Sequence, residues 1–168
     1  YCYAIIALSE IGKKVTLSSY KENSLQGDSY LAEFYKDFGV ETIFKDNSIT
    51  IHKLNDCQLP SVNYQLNNCP DIAQTIAVTC FGLGIACHLT GLHTLKIKET
   101  DRLEALKTEL SKLGAIIVVS ENSLTLNQSN RILSDIKIST YQDHRMAMAF
   151  APLALKVPLI IEDAEVVS

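Results

Sequence analysis

The chain has 168 residues, 47% of them hydrophobic and 20% charged, and a net charge of −4. This length favours one domain with a sizeable core, and the composition excludes a disordered chain. Lys and Arg are scattered through an acidic total, which argues against a nucleic-acid surface.

Residues 2–10 read as a helix that is apolar on nearly every face, with Ile5, Ile6 and Leu8, and residues 14–18 as a strand. Asp28 opens an amphipathic helix that places Leu31, Phe34, Tyr35 and Phe38 on one face and closes at Gly39. A hairpin follows, with strands 40–45 and 48–53 about Asp46-Asn47. Residues 54–70, with Pro60, Pro70 and several Asn, form the longest irregular stretch. A second all-round apolar helix spans 71–86, with Asp71 at its start, and a strand follows at 87–90. Asp101 opens a second amphipathic helix with Leu103, Leu106, Leu110 and Leu113 on one face, closed by Gly114. Asp101 and Glu104 there fit a capping box. A second hairpin uses strands 115–120 and 123–127. A third apolar helix at 144–156 follows Asp143, bends at Pro152 and leads to a strand at 157–162.

Gly39 and Gly114 lie 75 positions apart, as do the strings 48–51 and 123–126. A period this long marks a repeated supersecondary unit rather than a short solenoid repeat. The unit is buried helix, strand, loop, amphipathic helix, hairpin. The chain holds two nearly complete copies and the start of a third, an α/β arrangement without a low-complexity linker.

Two strings carry the chemistry. Residues 98–102 read Lys-Glu-Thr-Asp-Arg, and 143–149 read Asp-His-Arg-Met-Ala-Met-Ala. Each sets a carboxylate beside a cation where a helix begins, and helix starts favour anions. Arg102 and Arg145 there call for an anionic ligand. If the starts of successive units converge, Asp71 and Asp143 border a floor of N–H donors for phosphate or carboxylate. Glu99 would then carry protons, with Lys98 and Arg102 as a clamp. The plainer reading makes Asp71 and Asp143 simple N-caps and the other charges solvated pairs, Lys98 with Asp101 or Glu99 with Arg102. His144 has no nucleophile pattern around it. His52, His88 and His93 stand at no metal-ligand spacing and read as structural or surface residues.

The five cysteines include no C-x-x-C pair, so reduced thiols in a cytoplasmic protein are expected, without a disulfide framework or zinc site. No apolar run is long enough for a bilayer, and no secretory leader or G-x-G-x-x-G or Walker string occurs. The opening Tyr1-Cys2-Tyr3 lacks an initiator Met and is expected to be internal to a longer chain.

At four strings the chain resembles the C-terminal half of the 5-enolpyruvylshikimate-3-phosphate (EPSP) synthase family. They are 23–28 (Asn-Ser-Leu-Gln-Gly-Asp), 70–73 (Pro-Asp-Ile-Ala), 98–102 (Lys-Glu-Thr-Asp-Arg) and 141–148 (Tyr-Gln-Asp-His-Arg-Met-Ala-Met). The resemblance covers essentially the whole chain. It implies an enolpyruvyl transferase-like fold: two similar domains, each of three βαβαββ units around buried parallel helices, with the active site in the cleft at helix N-termini. Residues 1–168 are then part of the C-terminal domain, and the partner is the missing N-terminal domain. The implied reaction transfers the enolpyruvyl group of phosphoenolpyruvate to the 5-hydroxyl of shikimate 3-phosphate and releases phosphate, with no metal or organic cofactor. By position, Asp71 matches the aspartate that binds and deprotonates the attacking hydroxyl. Glu99 matches the glutamate that transfers a proton at the methylene carbon, and Lys98 a lysine that contacts both substrates. Arg102 and Arg145 match arginines that grip phosphoenolpyruvate, with His144 beside them. Since the N-terminal domain and a late lysine of the third unit are absent, the fragment alone is expected not to turn over substrate. The alternatives are a non-catalytic anion-binding fragment and a related enolpyruvyl transferase that acts on another acceptor.

Overall fold

The computed structural model of the chain describes residues 1–18, 30–45 and 47–167. The string at 23–28, with the Asp28 cap, and Asp46 of the first hairpin lie outside the described residues. The first unit comprises α1 (Cys2–Leu8), β1 (Lys14–Ser18), α2 (Leu31–Phe34) and the hairpin β2 (Val40–Lys45) and β3 (Ser48–Lys53). The second comprises β4 (Ser61–Gln65), α3 (Ala73–Leu83), β5 (Ala86–Thr90), α4 (Arg102–Lys112), β6 (Ile117–Val119) and β7 (Ser123–Leu126). The third begins with β8 (Ile136–Ile138), α5 (His144–Phe150) and β9 (Leu159–Ile161).

The sheets repeat the unit. β3 lies between β1 and β2, antiparallel to both, and β7 lies in the same way between β5 and β6. β4 adds to β5 in parallel, and β8 pairs in parallel with β9. A parallel pair needs a crossover, and α3 and α5 supply it. The second unit therefore reads βαβαββ, the order that the resemblance implied.

The irregular stretch expected at 54–70 needs correction, because it contains β4. Only Val62 is buried in that strand and Tyr64 is half-buried, so the alternation is too sparse to stand out. β4 is also an edge strand with a single neighbour, a place that demands little hydrophobicity. β8 was missed for the same reason, being three residues with one fully buried, Ile138.

The core lies around α3, which packs between α1 and α5. Every residue of α3 from Ala73 to Phe81 is buried, as an all-round apolar helix requires. The Thr79 hydroxyl is satisfied: its Oγ1 donates to the Thr75 carbonyl at 2.7 Å and meets the Tyr35 hydroxyl at 2.8 Å. The first apolar helix departs from expectation, since Ile5 is 43% exposed and α1 buries one broad face only. α5 gives way at Ala151 to a 3-10 turn over 151–155 with Pro152 in its first positions, where a missing N–H costs little.

The amphipathic helices differ. α4 is a regular eleven-residue helix whose Leu103, Leu106 and Leu110 are buried, as is Leu113 just beyond its end. The first one, expected to be regular from Asp28, is α only over Leu31–Phe34. It tightens into a 3-10 turn over Tyr35–Phe38 that buries Tyr35 and Phe38 completely. It stops at Gly39, where φ is 76° and an added Cβ would stand 2.0 Å from the Asn55 carbonyl oxygen. Only glycine fits that turn.

Candidate functional site

Three helix starts meet on one guanidinium. Asp101 caps α4, its Oδ1 accepting the Leu103 and Glu104 amides at 3.1 Å each. Glu104 pairs with Lys107 rather than closing the capping box. The cap places Arg102 at the first position of α4 with its side chain 2% exposed. Asp143 caps α5, its Oδ1 accepting the Arg145 amide at 2.9 Å, and it is wholly buried. Asp71 lies in the 3-10 turn Pro70–Ile72 that leads into α3.

Arg102 joins them. Its Nε donates to Asp143 Oδ2 at 2.6 Å and its Nη2 to Asp143 Oδ1 at 3.3 Å. Its Nη1 donates to Asp71 Oδ1 at 3.0 Å, and its Nη2 also to Glu99 Oε2 at 2.6 Å. Burial of a guanidinium is tolerable only when its fork is filled, and here three carboxylates fill most of it. Of the paired-charge readings, Glu99 with Arg102 is found. Lys98 turns instead to Asp71, with Nζ 3.4 Å from Oδ1. Arg102 also corrects an expectation: the anions it requires at its helix start are supplied by the protein.

Around this buried core lies an accessible shell. Arg145 Nη2 stands 3.7 Å from Asp71 Oδ2, and its Nη1 donates to the Asp71 carbonyl oxygen at 3.3 Å. Lys98, Asp71 and Arg145 are partly exposed and Glu99 is half exposed. Lys98, Arg102 and Arg145 balance Asp71, Glu99 and Asp143, three charges against three. An incoming anion must therefore compete with Asp71 and Glu99 for the same cations. A successful one releases carboxylates that are then free to take or give protons. His144 is exposed at the first position of α5, and its side chain joins no hydrogen bond or ion pair among the described residues.

Asp71, Lys98, Glu99, Arg102 and Arg145 thus come together, and His144 stands at their edge. Two residues escaped the sequence reading. Asp143 was read as a cap and as a border of an anion floor, but not as a partner of Arg102, which it holds through two hydrogen bonds. Glu109 was not singled out, yet it is a fully buried carboxylate inside the leucine face of α4. A charge on an apolar stripe was the available signal. The histidines set aside hold structural places: His88 Nδ1 meets Thr125 Oγ1 at 2.8 Å, and the His93 amide donates to Asn122 Oδ1 at 3.1 Å. The five cysteines are free. Among the described residues, no group of three or more His, Cys, Asp or Glu is placed to hold a metal, and no helix is long and apolar enough to cross a membrane.

Residues 2–168 match the model of the family described as EPSP synthase (3-phosphoshikimate 1-carboxyvinyltransferase). A 3-phosphoshikimate 1-carboxyvinyltransferase from Bacteroides fragilis is 42% identical over 100% of this chain and 41% of its own length. One from Neisseria meningitidis is 32% identical over 89% of this chain and 35% of its own. The chain therefore spans about two fifths of the length of the curated relatives it matches. In fold it resembles an EPSP synthase from Acinetobacter baumannii, with a TM-score of 0.80 at 20% identity over 98% of this chain and 40% of that one. It also resembles the enolpyruvyl transferase NikO from Streptomyces tendae, with a TM-score of 0.67 at 15% identity over 99% of this chain and 37% of that one.

Proposed function

Because this chain belongs to the EPSP synthase (3-phosphoshikimate 1-carboxyvinyltransferase) family, we propose that its three joined helix starts form one wall of that transferase's active site. The missing wall is the N-terminal domain of the same enzyme. Together they transfer the enolpyruvyl group from phosphoenolpyruvate to the 5-hydroxyl of shikimate 3-phosphate in a cytoplasmic setting. The observation that carries this reading is the convergence of Asp71, Glu99 and Arg145 around buried Arg102.

Asp71 takes the proton of the attacking hydroxyl as its oxygen bonds to C2 of phosphoenolpyruvate. A proton is delivered to C3 in the same addition, with Glu99 beside Lys98 as its carrier. The tetrahedral adduct then loses phosphate from C2 and the added proton from C3, restoring the double bond. Lys98, Arg102 and Arg145 offset the repulsion of two polyanions and the charge that develops between them. His144 lies beside the departing phosphate. Metal and organic cofactors have no part in this scheme.

The test joins the chain to the N-terminal domain and to the rest of the third unit, late lysine included, and follows phosphate release with both substrates. The joined protein turns over, the isolated chain does not, and Glu99→Gln in the joined protein lowers kcat by about 100-fold. An inactive joined protein, or ordinary turnover by the isolated chain, overturns the reading. Turnover with another hydroxylated acceptor alone would retain the fold and wall and replace the acceptor.

A further inference from the structure

We infer that Glu109 is a positioning residue for this site: from outside the cluster it fixes the link between β8 and α5 that delivers Asp143 and Arg145. The inference rests on the transferase reading above and adds to it a residue that touches neither substrate.

Glu109 is fully buried, yet its carboxylate is fully engaged. Its Oε2 accepts the Ser139 amide at 3.1 Å, and its Oε1 accepts the Tyr141 hydroxyl at 2.7 Å. Lys112 Nζ donates to both oxygens, at 2.8 and 2.7 Å. The link they hold is strained. Tyr141 and Gln142 are consecutive non-glycine residues in the left-handed region, with φ of 55° and 57°. Side chains rarely adopt that backbone, and two in succession persist only when their surroundings impose it. The Asp143 amide, bonded to the Thr140 carbonyl at 2.9 Å, closes the turn.

Glu109 and Arg102 are seven residues apart on α4, two turns along the same face. The helix thus grips the link at both ends. Glu109 holds its beginning through Ser139 and Tyr141, and Arg102 holds its end through Asp143. With the Glu109 grip removed, the link relaxes toward ordinary backbone. Asp143 then shifts against Arg102, and the start of α5 carries Arg145 away from Asp71. Small misplacements of this kind strongly affect positioning of a bound anion.

The experiment uses the full-length enzyme that carries this domain, with Glu109→Leu, Glu109→Gln, Tyr141→Phe and, as a control, Lys107→Ala. Glu109→Leu is expected to raise the KM for phosphoenolpyruvate about tenfold or more, while Tyr141→Phe raises it about threefold. Glu109→Gln, which keeps an acceptor for one partner, falls between wild type and Glu109→Leu. Lys107→Ala, which removes only an ion pair with Glu104 on α4, leaves KM and kcat unchanged. If Glu109→Leu fails to fold, Glu109→Gln and Tyr141→Phe carry the test. A second readout is independent of turnover: the backbone amide resonances of His144 and Arg145 shift in Tyr141→Phe. Folded Glu109 variants with unaltered KM, or unmoved His144 and Arg145 resonances, overturn the inference. A wild-type enzyme without turnover overturns the transferase reading instead, and the resonance shifts still decide the role of Glu109.

Discussion

Phe34 of the first unit and Glu109 of the second lie 75 positions apart, on equivalent amphipathic helices, and each holds the opening segment of the unit that follows. Phe34 does so with its ring, whose centroid is 4.5 Å from that of Tyr64 in β4. The Tyr64 hydroxyl bonds to Asp37 Oδ2 at 2.6 Å and to the Phe34 carbonyl at 3.2 Å. At the equivalent junction Glu109 holds Ser139, which stands 75 positions after Tyr64. One repeat closes the junction with aromatic packing and an exposed carboxylate, Asp37, and the other with a wholly buried carboxylate. Packing tolerates small slides of one element on another. A carboxylate that must meet an amide and a hydroxyl fixes direction as well as distance. The charged junction is the one next to the cluster, where direction matters.

The largest expected effect comes from the charged side. Arg102→Met leaves Asp143 buried without its main partner and should lower stability by about 3–5 kcal/mol in chemical denaturation. Adding Asp143→Asn to that variant should recover part of the loss, since the two residues form one unit. Additive losses would deny that the pair is coupled. Next comes the aromatic side. Phe34→Ala should cost about 2 kcal/mol, less than a fully buried Phe because Phe34 is half-buried. It should leave affinity for phosphoenolpyruvate in the full-length enzyme unchanged, and a weakened affinity would erase the distinction drawn between the junctions. The smallest effect is alkaline. Burial, together with the bond to Glu109, pushes the Tyr141 hydroxyl up to about 12 from its ordinary 10. The folded state therefore keeps a proton that the unfolded chain loses. The contribution is fully present below pH 10 and fades as pH rises from 10 toward 12. A Tyr141→Phe protein should decline less than the wild type between pH 10 and 12 when the two melting curves are compared, the decline that remains coming from Tyr35 and Tyr64, whose hydroxyls burial also pushes up.

What could be read from the residues was what depends on near neighbours. The Asp101 cap needs only amides two and three positions on, and Gly39 and Gly114 end their helices by backbone geometry alone. The 75-residue period exposed the hairpins. The filling of Arg102 could not be read, because its partners Asp71 and Asp143 lie 31 and 41 positions away. An arginine at a helix start looks unsatisfied until the fold brings those groups back. β4 was hidden by having one buried residue, and β8 by that and by its three-residue length. The convergence of Asp71, Lys98, Glu99, Arg102 and Arg145 was expected from repetition and resemblance together, and their charge balance emerged only from the coordinates.

The wide spacing of these partners has a kinetic consequence. Arg145 reaches back 74 positions to the Asp71 carbonyl, so no segment can build the cluster from its own contacts. Long-range closure is slow and arrives after local helices and hairpins have formed. During refolding, helical signal should therefore return first, and quenching or shift changes at a reporter near Arg102 should lag behind it. Proteolytic nicking between α4 and α5 would abolish the site while leaving most of the secondary structure intact.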